Sequence, residues 1–326
     1  MPTLSAFAPP YYLRNRHVQT VLNSQGPRRL RAASILSRFN SEKLILQAGD
    51  GTRLLAELDR AGDRQQKLVV LLHGWEGSSR SSYIVTCAEV LLSSGFDVLR
   101  VNLRDHGDSH ALNRGLFNST LSPEVGSALA GFLASRDYKQ LCLVGFSLGA
   151  SFALRIAADR GAQLGLDRVI AICPPTDPAR AMQALNNGFF AYERYFFKRW
   201  RESLYRKLRH FPEFDYKAEL AAARSLDDLN RIFIPRYTAY ASVDEYFAAY
   251  ALVGDRLAAL SMPAYLIAAE DDPIIPIADL QRIDPIDRLN IETCRYGGHC
   301  GFIEDLAAHS WVEKRILQLC GEVSTE

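Results

Sequence analysis

The sequence predicts an α/β fold: a mostly parallel sheet of eight strands flanked by helices, with a helical insertion after the sixth strand. Three observations predict it. Short apolar runs alternate with helix-forming stretches along most of the chain. A glycine-flanked serine sits where one such run meets a helix. Between Cys173 and Met262 the alternation stops and helical pattern dominates.

In chain order, strands are expected at 43–47, 53–58, 67–72, 97–102, 140–145, 168–173, 264–269 and 290–296. Asp50-Gly51 separates the first two, a dipeptide suited to a tight hairpin turn, so the sheet opens antiparallel. After this pair, strands alternate with helical stretches, the βαβ signature of parallel pairing. The run at 141–144 is apolar without interruption, as for a strand buried on both faces. A closing helix is expected at about 304–319. The division that follows is a sheet-bearing core of 1–173 and 263–326, with a helical cap of 174–262.

Gly145-Phe146-Ser147-Leu148-Gly149 joins the strand at 140–145 to a run rich in strong helix formers, Ala150 to Ala158. A serine with glycine two residues to each side can occupy a sharp strand-to-helix turn, because the glycines let backbone segments approach closely. The hydroxyl of Ser147 is then presented at the tip of the turn. A glycine-rich turn with no chemistry is the alternative, and an acid and a histidine following in that order decide against it.

Both follow. The strand at 264–269 runs directly into Glu270-Asp271-Asp272-Pro273-Ile274-Ile275-Pro276. Carboxylates there lie at the strand ends where α/β sheets gather catalytic groups. Asp272 is favoured because the Asp-Pro-x-x-Pro turn gives it a defined place; Asp271 and then Glu270 are the alternatives. After the last strand, Gly297-Gly298-His299-Cys300-Gly301 forms a glycine-rich loop that leaves His299 free to reach the serine turn. The six other histidines are read as structural or solvent-facing.

These residue types suit one chemistry. A serine hydroxyl is a weak nucleophile until a neutral imidazole takes its proton, and a carboxylate holds that imidazole in the right tautomer. The oxyanion that forms needs backbone donors. One is the N–H of Leu148, after the serine; the other is expected from the loop following the strand at 67–72, at Trp75 in His73-Gly74-Trp75-Glu76-Gly77. His73 is read as bracing that loop.

At this point the chain resembles the α/β-hydrolase superfamily, and within it the YheT-like bacterial hydrolases and the eukaryotic abhydrolase-domain lipases. Asn15-Arg16-His17-Val18-Gln19-Thr20 resembles the subgroup's N-terminal signature, and Tyr192-Glu193-Arg194-Tyr195-Phe196 its cap segment. The blocks around Trp75, Ser147, Asp272 and His299 also match, so the resemblance covers roughly residues 8–318. It implies an α/β-hydrolase fold, with Ser147 as nucleophile, Asp272 as acid and His299 as base. Arg104-Asp105-His106-Gly107-Asp108-Ser109 departs from the usual Arg-Gly-Cys-type loop, which borders the active site in the family. His106 therefore stands as a substrate-lining candidate, with bracing of a turn as the other reading.

Composition narrows the function further. The 38 basic and 37 acidic residues leave a net charge of +1, with none of the footprint of a nucleic-acid binder. Residues 1–12 lack a basic segment followed by an apolar one, and no window approaches the length of a membrane span. The six cysteines are scattered without C-x-x-C or zinc-like spacing, which fits reduced buried thiols in a cytoplasmic protein. Neither metal nor organic cofactor is implied.

In the aromatic segment 189–211, Tyr192, Phe196, Trp200 and Leu204 share a stripe at helical spacing. That stripe reads either as a helix packing on the core or as an acyl-chain funnel that also rests on an anionic membrane surface. The expected function is hydrolysis of a carboxylic ester, of a medium-chain acyl group or simple lipid, through an acyl-enzyme. One alternative is an acyltransferase using the same intermediate. Some relatives with that activity carry His-x4-Asp, whereas here Glu304 follows His299 at that spacing. A catalytically silent binding protein on the same fold is the other alternative.

Overall fold

A computed structural model describes residues 3–4, 7–62 and 66–322. Of the N-terminal stretch read for a leader, residues 1–2 and 5–6 lie outside the described residues. The strands are β1 (Thr3–Leu4), β2 (Glu42–Gln47), β3 (Arg53–Asp59), β4 (Lys67–Leu72), β5 (Asp97–Val101), β6 (Gln140–Phe146), β7 (Arg168–Ile172), β8 (Ala264–Ala269) and β9 (Leu289–Cys294). The helices are α1 (Arg16–Leu22), α2 (Pro27–Leu36), α3 (Ser82–Ser93), α4 (Ser122–Leu133), α5 (Leu148–Leu164), α6 (Pro178–Asn187), α7 (Phe190–His210), α8 (Lys217–Ala222), α9 (Leu226–Tyr237), α10 (Val243–Ala249) and α11 (Trp311–Gly321).

The strands form one sheet in the order β1-β9-β8-β7-β6-β4-β5-β3-β2. Eight of them are the expected strands. The additional one, β1, has two residues and pairs in parallel with the edge of β9. A two-residue strand carries no readable alternation, so no sequence pattern announces it. The β2–β3 and β3–β5 pairs are antiparallel, and every other pair is parallel. The Asp50-Gly51 turn closes the first hairpin, with Gly51 at φ +83° and the Ala48 N–H donating to Thr52 O at 2.8 Å.

Burial on both faces explains the unbroken apolar runs. Along β4, Leu68, Val70 and Leu72 join a core under α4 and α5, while Val69 and Leu71 point to the opposite core under α3 and α11. Each such side chain contributes about 1.5–3 kcal/mol by leaving water. Because β4 to β9 run parallel, their C-terminal ends and following loops collect at one edge of the sheet. Helices α6 to α10 intervene between β7 and β8 and bring a third apolar cluster over that edge, where Leu185, Leu204 and Phe233 meet Ile274 and Ile275.

The last helix differs from expectation, starting at Trp311 rather than near residue 304. Between them the backbone bonds across rather than along: Trp311 N–H donates to Phe302 O at 2.9 Å and Glu304 N–H to His309 O at 2.9 Å. Phe302 and Ala308 adopt positive φ there, which no continuing helix allows.

Candidate active site

Ser147 stands between β6 and α5 with φ +53° and ψ −121°, a strained conformation for a residue with a side chain. The neighbours enforce it. Ser147 N–H donates to Ile172 O on β7 at 2.8 Å. A Cβ on Gly145 would overlap the Gly149 carbonyl, and one on Gly149 would overlap the carbonyls of Leu72 and His73. Glycine at both places lets the turn fold back on itself and α5 lie against the end of β4. The serine side chain is thereby raised above the sheet edge and left partly accessible.

The loop after β9 brings His299 to this serine. His299 Nε2 lies 2.8 Å from Ser147 Oγ, and Nδ1 lies 2.8 Å from Asp272 Oδ2. A carboxylate only accepts, so Nδ1 carries the proton and Nε2 is left to accept from the hydroxyl. Asp272 Oδ1 accepts from the N–H groups of Ile274 and Ile275 at 2.8 and 3.0 Å, which fixes the carboxylate within its turn. The neighbouring Asp271 faces elsewhere and accepts from Gly298 N–H at 2.8 Å, bracing the histidine loop. Glu270 is exposed. Burial pushes the His299 imidazole down, but the Asp272 charge opposes this, with Cys300 adding to it, and holds the pKa above the ordinary histidine value.

Two backbone donors flank the serine. Leu148 is the first residue of α5, so its N–H has no carbonyl one turn back to reach. In the loop after β4, Gly74 N–H donates to Tyr83 Oη, Glu76 N–H to His106 Nε2, Gly77 N–H to Gly74 O and Ser78 N–H to Ser81 Oγ. The Trp75 N–H is that loop's spare donor among the described residues. Gly74 abuts Ser147 closely enough that a Cβ there would lie 3.1 Å from the serine Cβ.

Two buried histidines hold this loop. His73 Nδ1–H donates to Gly74 O at 2.7 Å and Nε2 accepts from Leu103 N–H at 3.1 Å. His106 Nδ1–H donates to Arg104 O at 2.7 Å while Nε2 accepts from Glu76 N–H at 3.1 Å. Burial keeps both neutral, with His73 lowered to about 4 and His106 also held well below the ordinary histidine value. His106 does line the cavity over Ser147, but with both nitrogens engaged it offers a ligand only its ring.

Helix α7 closes over these loops. Phe196 stacks on Trp75 at 5.1 Å between centroids, and Trp200 meets the same indole edge-on at 5.5 Å. Tyr192 is hydrogen-bonded to His17 Nδ1 at 2.9 Å. Lys207, fully buried, reaches Asp105 Oδ1 at 2.7 Å and the carbonyls of Asn113 and Gly115. The departing loop Arg104–Ser109 is thus tied to α7 by a buried ion pair, which sequence reasoning missed. Its signal was available: Lys207 follows Trp200 and Leu204 at helical spacing on the inward stripe.

Sequence reasoning also assigned no task to the motif 15–20. Gln19, fully buried, donates to Leu13 O and Ile303 O and accepts from Ile303 N–H at 2.6 Å. Thr20 Oγ accepts from His299 N–H at 2.9 Å. Helix α1 therefore clamps the histidine loop from outside. Among the described residues one grouping has metal-ligand character: Cys173, His299 and Cys300, whose ligand atoms lie within 4.8 Å of one another. Both His299 nitrogens are already engaged, so an ion there would have to displace Ser147 or Asp272.

A mostly parallel sheet with a strained serine turn after a central strand, and helices inserted before the strand that leads to the acid, is the architecture of the α/β hydrolases. Residues 69–308 match the alpha/beta hydrolase family, and the chain belongs to it. The putative esterase YheT of Escherichia coli (strain K12) is 24% identical over 317 residues, covering 95% of this chain and 91% of that protein. An abhydrolase domain-containing protein of Dictyostelium discoideum is 23% identical over 96% of this chain and 80% of its own length. A monoacylglycerol lipase of Saccharomyces cerevisiae is 23% identical over 76% of this chain and 58% of its own length. The resemblance to YheT-like hydrolases and their abhydrolase-domain relatives therefore holds. Among solved structures, a Pyrococcus furiosus esterase superposes with a TM-score of 0.59 at 15% identity, over 88% of this chain and 91% of that one, a likeness of fold.

Proposed function

We propose that this chain, a carboxylic ester hydrolase of the esterase and lipase kind, works through an acyl-enzyme on Ser147. The observation that carries this reading is the pair of 2.8 Å contacts by which His299 bridges Ser147 Oγ and Asp272 over a strained serine turn. Ser147 Oγ attacks the ester carbonyl while His299 Nε2 takes its proton. The tetrahedral oxyanion is held by the N–H groups of Leu148 and Trp75. As the carbonyl–alkoxy bond breaks, His299 returns the proton to the departing alcohol. Water then adds to the acyl carbon, giving its proton to His299, and the acid leaves as Ser147 recovers its hydrogen.

Residues 174–262 act as the cap over the core formed by 1–173 and 263–326. A cavity of about 110 Å³ opens onto Ser147 and is walled by Leu116, Leu185, Phe196, Phe233 and Ile274, most of them from the cap helices. Such a lining favours a medium-chain acyl group or a simple lipid. Phe189 and Phe190 at the start of α7 are 50% and 69% exposed, which supports peripheral membrane contact through the cap.

The test is labelling with a fluorophosphonate, read by intact mass. Wild type is expected to gain a single adduct and the Ser147→Ala variant none, followed by turnover of a graded ester panel. A folded wild type that takes no label would overturn the reading.

A further inference from the structure

Ser147 and His299 line a second cavity as well. It is larger, about 740 Å³, and lies between α1, α2 and the N-terminal half of α7. Trp75, Glu76, Phe196 and Ile274 line both cavities and form the wall between them. An ester held with its carbonyl over Ser147 has two halves to place. Both linings are mostly apolar, so charge is what assigns the two halves.

The two linings differ in charge. In the acyl chamber Asp105 and Lys207 neutralise each other at 2.7 Å, which leaves the shared Glu76 and no unpaired cation. The second chamber is lined by Arg29, Arg80 and Arg199 against one carboxyl group, Glu76. Arg80 is engaged by Glu57 at 2.9 Å. Neither Arg29 nor Arg199 has a carboxylate within ion-pair distance among the described residues. Burial pushes Glu76 up to about 7, against the pull of Arg199 and Arg206, so that its carboxyl only partly offsets these cations near neutral pH.

Arg199 is the informative one. Its Nη2 donates to Glu76 O at 3.0 Å, next to Trp75 in the loop that supplies the oxyanion donor. Its Nε is buried and has no acceptor. Arg199 is half-buried and lines the chamber that Ser147 also lines, with no carboxylate to pair it among the described residues, and a planar guanidinium matches carboxylate and phosphate oxygens best.

We propose that the second chamber receives the alcohol half of the substrate and that this alcohol carries an anionic oxygen group, phosphate or carboxylate, recognised by Arg199 with Arg29 toward the mouth. This assignment rests on the ester-hydrolase reading above. It makes Arg199 a specificity residue that discriminates leaving groups, separate from the acyl preference set by the cap.

The experiment uses three esters with one decanoyl chain: the neutral glycerol monoester, the glycerol 3-phosphate ester and the ester of 3-hydroxybutyrate, whose carboxylate is free. The wild type is expected to prefer at least one anionic ester over the neutral one by about tenfold or more in kcat/KM, and the phosphate and carboxylate arms identify which anion is read. Arg199→Gln should bring that ratio toward one, and Arg199→Lys should restore part of it. The ratio matters because a loosened oxyanion loop would lower all three substrates together and leave it in place. Should Arg199→Gln not fold, Arg29→Glu must lower the same ratio. Neutral and anionic esters cleaved equally by wild type, or a ratio untouched by these substitutions, would overturn the proposal while fluorophosphonate labelling kept the hydrolase reading intact. Loss of labelling and of all turnover would instead sink the hydrolase reading.

Discussion

Asp271 and Asp272 are adjacent in sequence and do different work. Asp272 meets the imidazole and Asp271 the backbone of the histidine loop. Asp272→Asn should therefore lower kcat by about 10⁴-fold by releasing the wrong tautomer. Asp271→Asn, which keeps an acceptor for Gly298 N–H, should cost far less, and steady-state kinetics on any turned-over ester separates the two. The pH profile follows from the sign of the His299 shift. Only the neutral imidazole accepts the serine proton, so kcat/KM falls as pH drops through its pKa, which Asp272 holds above the ordinary value. Residual activity of Asp272→Asn should show its acid limb displaced to lower pH, because burial is then opposed only by Cys300. His73 titrates the fold itself. Its pKa is about 4 in the folded chain against about 6.5 unfolded, so below pH 6.5 the unfolded state takes up the proton first. Stability should fall by roughly 3 kcal/mol from this group between pH 6.5 and 4, seen as a declining denaturant midpoint.

At the scale of elements, the site is held by helices that contribute no reacting group. Gln19 on α1 satisfies both backbone groups of Ile303 inside the core. Gln19→Leu would strand them, at about 1–3 kcal/mol each, and would lower kcat by freeing the His299 loop. Urea unfolding and kinetics together read this. Helix α7 is pinned through Lys207 and Asp105. Lys207→Met leaves a buried carboxylate unpaired and should destabilise by about 3–5 kcal/mol, and a paired replacement of Asp105 by Asn, which keeps an acceptor for Phe117 N–H and tolerates the positive φ, should recover part of that. Chemical denaturation of the single and double variants tests the coupling.

Across the whole molecule, the six thiols are free and buried. A native sample should react slowly with a thiol reagent and reveal all six on denaturation without reductant. Fast native reaction, or fewer than six, would contradict this arrangement. No helix among the described residues is long and apolar enough to cross a membrane. If the cap touches a bilayer it does so from the surface, through Phe189, Phe190 and their neighbours. Replacing both phenylalanines by serine should weaken sedimentation with anionic vesicles while fluorophosphonate labelling of Ser147 persists.

All eight expected strands were legible within two residues at each end, because strands buried on both faces leave uninterrupted apolar runs and their boundaries fall at turn residues. The order of serine, acid and histidine was legible for a related reason: each stands directly after a strand, so local pattern alone places it at the functional edge. Other features required the folded chain. Which of two neighbouring aspartates faces the imidazole depends on side-chain direction within a turn, which reverses over a single residue. Gln19 and Ile303 are 284 positions apart, and Lys207 and Asp105 102 apart. No periodicity links such pairs. The sequence by itself determined the sheet, the strained serine turn and the chemistry its residue types can perform. Only tertiary structure decided the clamp on His299, the pinning of α7 and the contrast between two chambers, since each arises where distant segments exclude water together.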